Sequence, residues 1–166
     1  MNTRNAADGP PSEKWATIGD LQVRYLDWGD NGVPVMLLHG LASSAHWYDL
    51  VAPLLRDQCR IIAPDQRGHG QTSQAPGGYD WGTLAKDVVG LMDHLDVSEA
   101  AVFGHSWGAN TALSLAALHP DQVTALAGDD LGGVQDQTES QGHLRAPGAV
   151  SGSAAPAVRP LLERPA

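Results

Sequence analysis

The residues with the clearest chemical potential are Gly104-His105-Ser106-Trp107-Gly108. A serine hydroxyl is a weak nucleophile until the chain holds it clear of competing partners and beside a proton acceptor. In a G-x-S-x-G segment the serine stands on a sharp strand-to-helix turn. The backbone is crowded there, so small residues are needed two positions to either side. The N–H groups that open the next helix point at developing negative charge. The surroundings fit this geometry. Ala100-Ala101-Val102-Phe103 reads as a strand, and residues 107–118 read as an Ala/Leu-rich helix closed by His119-Pro120. The competing reading is a glycine-rich turn with an incidental serine. Placement between strand and helix favours Ser106 as a nucleophile.

Two other segments belong with it. His39-Gly40-Leu41 ends an apolar run at 33–38, VPVMLL. The backbone N–H of Leu41, with that of Trp107, is expected to form an oxyanion hole. Asp65-Gln66-Arg67-Gly68-His69-Gly70 ends the IIAP run at 61–64 and is assigned support of the loops around the serine.

These segments need a scaffold. Leu21, Val23 and Tyr25 alternate with polar neighbours, as in a half-buried strand. The runs at 33–38 and 61–64 read as strands buried on both faces. Residues 46–56 suit a short helix, and Leu84, Val88, Leu91, Met92 and Leu95 give helical spacing over 79–95. Val123-Thr124-Ala125-Leu126-Ala127 reads as a further strand. Strands alternating with helices from 33 to 127 imply a mostly parallel sheet with helices on both faces, an α/β class. Such sheets carry their sites at the carboxyl ends of the strands, where all three loops fall. Residues 1–14 read as a flexible leader and 15–130 as the folded part. Residues 131–166 hold no aromatic residue and lack apolar periodicity, so a mostly disordered tail is expected.

HGLASS at 39–44, APDQRGHGQT at 63–72 and GHSWGA at 104–109 resemble, in order and spacing, the α/β-hydrolase superfamily. They look most like its esterase, C–C hydrolase and cofactor-free haloperoxidase branch, over about residues 15–130. Serine at 106 is unlike the haloalkane dehalogenase and epoxide hydrolase relatives, which place aspartate there. The resemblance implies an acyl-enzyme mechanism with no metal and no organic cofactor. It also implies the order serine, acid, histidine. Asp129 or Asp130, after the 123–127 strand, is the candidate acid, against a turn or helix-cap role. Downstream of Ser106 stand only His119, at a helix end, and His143, in the tail. His143 is the candidate base, although a base must be held within hydrogen-bond reach and a loose tail does not do that. His105 is expected to point beneath the serine. By the resemblance, a cap and further strands would follow residue 130. The Arg/Pro/Ala/Gly/Ser text after GDDLGGVQD at 128–136 is what an out-of-frame reading of GC-rich DNA gives. A C-terminally truncated α/β-hydrolase fold, lacking its last strands, is therefore expected.

Composition narrows the rest. The formal charge is −9, with Lys14 and Lys86 the only lysines, which disfavours nucleic acid and anionic membranes. No apolar run approaches the ~18 residues of a membrane span. Met1 to Lys14 has no apolar core of a signal peptide, and Cys59 has no disulfide partner, so a cytoplasmic protein is expected. Ser73 occupies the place of the third glycine of a dinucleotide fingerprint, and the histidines form no metal-ligand spacing. Two functions stand. One is a serine hydrolase of a small ester or related carbonyl substrate. The other is a non-catalytic relative of that fold that binds a ligand or partner. Self-association through an exposed sheet edge at 123–127 is also expected.

Overall fold

The computed structural model describes residues 9–29 and 31–130. The expected tail, and His143 with it, lies outside the described residues.

Among the described residues six strands form one sheet in the order β1-β2-β4-β3-β5-β6. They are β1 (Ser12–Ile18), β2 (Leu21–Asp27), β3 (Val33–Leu38), β4 (Cys59–Pro64), β5 (Ala100–His105) and β6 (Val123–Asp129). β1 and β2 form an antiparallel hairpin turning at Gly19, φ 58°, where glycine carries no Cβ penalty. β2 runs antiparallel to β4, while β4, β3, β5 and β6 are mutually parallel. Crossovers through helices make the parallel part, so the carboxyl ends of β3, β4 and β5 share one edge of the sheet.

Among the described residues three α-helices serve the sheet: α1 (Ala52–Leu55), α2 (Trp81–His94) and α3 (Trp107–Leu118). Asp80 caps α2, its carboxylate accepting the Thr83 N–H at 2.9 Å. α2 buries Leu84, Ala85, Val88, Leu91 and Met92, and α3 buries Ala112 and Leu115. Both pack on Met36, Leu38, Ile62 and Val102 of the strands. Strand alternation sends Leu37, Ile61 and Ala63 to the opposite face, where Ala45, Tyr48 and Ala52 cover them. Among the described residues no helix is long and apolar enough to cross a membrane.

Three expectations need correction. β1 takes in Ser12, Glu13 and Lys14, which composition places in the leader, and pairs all three with β2. The helix expected over 46–56 is a 3-10 turn at Ala45–Tyr48 followed by the four-residue α1. Pro53 explains this: it lacks an N–H and its ring would meet the carbonyl of Asp49, so it starts a helix and does not continue one. β2 is buried on both faces from Val23 onward, Arg24 included, and is not half-buried.

Candidate active site

Ser106 follows the last residue of β5 and precedes α3, with φ 50° and ψ −110°. A left-handed φ on a non-glycine residue costs of order 1–3 kcal/mol and persists only where the surroundings enforce it. The enforcement is visible. The Ser106 N–H donates to the Asp129 carbonyl at 3.0 Å, and its own carbonyl accepts the Ala109 N–H at 2.9 Å. A Cβ on Gly104 would overlap the Gly108 carbonyl and stand 2.5 Å from the Ala109 nitrogen. One on Gly108 would overlap the Leu38 carbonyl oxygen and lie 2.7 Å from that of His39. The flanking glycines thus let β3, β5 and α3 close around the serine.

Leu41 stands just past the end of β3 and is 63% exposed, while Trp107 is the first residue of α3. Neither backbone N–H has a hydrogen-bond acceptor among the described residues. The loop before Leu41 is tied down from below. The Gln66 N–H donates to His39 Nε2 at 3.0 Å, so the proton of this ring sits on Nδ1, which donates to the Gly40 carbonyl at 2.8 Å. The Gln66 side-chain amide donates to the His39 carbonyl at 2.6 Å. His39 is fully buried, and desolvation lowers its pKa to about 4. The buried Asp65 carboxylate accepts the Ala45 N–H at 2.7 Å, the Gln71 N–H at 2.9 Å and Arg24 Nη1 at 3.2 Å. Arg67 forms a two-point pair with Asp87 at 2.7 and 2.8 Å. The loop at 65–70 therefore braces its neighbours, as its residue types suggest.

The two acid candidates differ. Asp129 is the last residue of β6, and its Oδ1 lies 2.9 Å from His105 Nδ1. Asp130 has φ 47°, is exposed, and makes no side-chain hydrogen bond among the described residues. No described histidine bonds the Ser106 hydroxyl. His39 is committed to Gln66 and Gly40, His46 to Asp49 and Arg24, and His69 to the Arg67 carbonyl. His119 ends α3 through its backbone N–H, which donates to the Leu115 carbonyl at 2.8 Å. Among the described residues no group of His, Cys, Asp and Glu is arranged to hold a metal ion.

Two features escape a reading of residues in order. One is Arg24, 1% exposed and paired with Glu13 as well as Asp65. The other is the His105–Asp129 pair, whose ring also stacks on Trp47 with centroids 4.9 Å apart and planes 9° from parallel. Around Trp107, the rings of Trp81 and His69 stand 4.6 and 6.3 Å away.

The mostly parallel sheet and its helices have known counterparts. A family model described as "alpha/beta hydrolase fold" matches residues 33–153. Epoxide hydrolase A of Mycobacterium tuberculosis is 36% identical over 123 residues, 72% of this chain and 38% of that protein. A bifunctional esterase/perhydrolase of Acinetobacter calcoaceticus is 32% identical over 113 residues, 67% of this chain and 41% of the other. The crystal structure of epoxide hydrolase A from Mycobacterium thermoresistibile superposes with a TM-score of 0.68 at 36% identity, covering 71% of this chain and 38% of that one. The chain belongs to the α/β-hydrolase family. It spans about two-fifths of the length of these curated relatives.

Proposed function

We propose that this chain carries the nucleophile and oxyanion elements of a serine hydrolase acting on a small ester or related carbonyl compound. The carrying observation is the backbone of Ser106, φ 50° and ψ −110° at the carboxyl edge of the parallel sheet. Binding alone has no use for a strained serine in that place. In this reading Ser106 Oγ attacks the carbonyl carbon and gives its proton to a general base. The oxyanion is received by the Leu41 and Trp107 N–H groups, the alcohol leaves, and water releases the acyl group. Because 106 is serine, acyl transfer is favoured over the epoxide opening for which two relatives are named. Asp130 or Asp129 is the candidate acid; the Asp129 carboxylate is already engaged by His105, which favours Asp130. His143 is the candidate base. No organic cofactor or metal enters this scheme.

A second reading is a non-catalytic member of the family that binds a ligand or partner. It is favoured by one observation: the Ser106 hydroxyl has no histidine partner among the described residues. Incubation with p-nitrophenyl acetate separates the two. The hydrolase reading expects a burst of nitrophenol and an acetyl adduct on the peptide carrying Ser106, both lost in Ser106→Ala. Equal signals in the two proteins, or none in either, would leave the binding reading.

A further inference from the structure

We propose that His105, one residue before the nucleophile, is a positioning residue that sets the Gly40–Leu41 loop against the Ser106 turn, with Asp129 holding its ring. The proposal rests on the reading of Ser106 as an acylating nucleophile.

Four chain segments meet at this ring. His105 ends β5 and lies opposite Asp129 of β6 in the parallel register. The carboxylate accepts, so Nδ1 carries the proton and donates across 2.9 Å. One face of the ring lies on Trp47 of the 3-10 turn, 4.9 Å between centroids. The far edge reaches β3's loop: a Cβ on Gly40 would stand 2.9 Å from His105 Cδ2 and 3.5 Å from Nε2. The imidazole therefore occupies the space that a side chain at Gly40 would need, one residue before the expected oxyanion donor Leu41. Asp129 also fixes the nucleophile itself, since its carbonyl accepts the Ser106 N–H at 3.0 Å. Asp129 thus grips the serine through its backbone and, through His105, the loop that must face that serine.

His105 is not placed as the base. One nitrogen faces Asp129, the other edge faces Gly40, and neither bonds Ser106 Oγ. The pair is no strong structural strut either. The His105 and Asp129 side chains are 23% and 63% exposed, and exposed ion pairs contribute little to stability. Its leverage is geometric. A donor displaced by about 1 Å from a developing charge can cost on the order of 10²-fold in rate.

The test uses the full chain, p-nitrophenyl acetate, and the variants His105→Ala, His105→Phe, Asp129→Ala and Ser106→Ala. The maximal acylation rate of Ser106 should fall on the order of 10²-fold in His105→Ala, with the half-saturating ester concentration within about twofold. Asp129→Ala should fall in the same direction. His105→Phe keeps a flat ring between Trp47 and Gly40 and should recover at least about tenfold of the loss. In parallel, the backbone amide resonances of Gly40 and Leu41 should move in His105→Ala and stay in Ser106→Ala. An unchanged acylation rate in His105→Ala, with Ser106→Ala silent, overturns the proposal while leaving the nucleophile reading intact. If Ser106→Ala keeps the burst, the nucleophile reading fails instead. The Leu41 amide then decides the placement alone: movement supports it, and an unmoved resonance in a folded His105→Ala protein overturns it.

Discussion

The backbone N–H of Ser106 donates to the carbonyl of Asp129 at 3.0 Å, so the end of β6 holds the serine in a conformation it would not choose. If that conformation is strained because a side chain sits at φ 50°, glycine should relieve it. Ser106→Gly is expected to gain about 1 kcal/mol over Ser106→Ala, after the unfolded-state entropy of glycine is subtracted. Urea unfolding of the two variants checks this. A glycine variant less stable than the alanine variant would show that the turn is unstrained.

His39 makes the stability depend on pH. Its pKa falls from an ordinary value near 6.5 to about 4 because burial disfavours the imidazolium. The unfolded chain therefore takes up this proton first as pH falls. The contribution of His39 is complete above about 6.5 and is lost progressively down to about 4. A difference of that size corresponds to roughly 3 kcal/mol across the window. His39→Gln should be less stable at neutral pH and should show a flatter stability profile between pH 6.5 and 4. Parallel profiles for the two proteins would mean that His39 titrates normally.

Gly108 is where β3 and α3 touch. A Cβ there would overlap the Leu38 carbonyl, and backbone on both sides leaves no flexible atom to yield. Gly108→Ala should cost about 3 kcal/mol and slow any acylation of Ser106, because α3 must back away from β3. Thermal melting of the variant checks the first effect. A melting temperature within a degree or two of the parent would show that the close approach is not enforced.

These predictions draw on features with different origins in the sequence. The glycines around Ser106 are readable because the crowding is local, and β3 and α3 occupy the residues their patterns mark, Val33–Leu38 and Trp107–Leu118. The His105–Asp129 pair is not readable. The β5–β6 register shifts at Ala100/Ala101, so counting along two strands does not bring those residues together. Arg24 reads as a solvent-facing position in an alternating strand. It is buried because Asp65, beyond β4, and Glu13, in a strand hidden by its polar residues, both reach it. What sequence conveys is local sterics and period; long-range pairing of charged groups depends on register.

The 166-residue chain has no described histidine on Ser106 Oγ, and this bears on rate. Serine hydrolases stripped of their triad keep on the order of 10³–10⁴-fold over water, from the oxyanion hole and binding. Ester turnover by the purified chain should fall near that residual level. Steady-state hydrolysis of p-nitrophenyl acetate measures it. Rapid turnover abolished by both Ser106→Ala and His143→Ala would overturn the expectation and make His143 the base.

The last prediction concerns β6. It is the terminal strand of the described sheet, and all of its residues beyond Val123 are exposed, with Leu126 at 39%. An edge strand leaves alternate N–H and C=O groups without strand partners, and such edges are normally blunted by charge, proline or a bulge. Residues Val123, Thr124, Ala125, Leu126 and Ala127 carry neither charge nor proline. On α3, whose Ala109 faces Gly128 of β6, Leu113 one turn further on is 39% exposed, so apolar surface adjoins the open edge. The purified chain is therefore expected to self-associate through β6 at micromolar concentration. Thr124→Lys together with Leu126→Lys should shift it towards monomer, since like charges brought face to face oppose pairing. Sedimentation velocity of both proteins checks this. A cooperatively melting monomer at tens of micromolar in the unmodified chain would refute it, and would mean that residues outside 9–130 shield the edge.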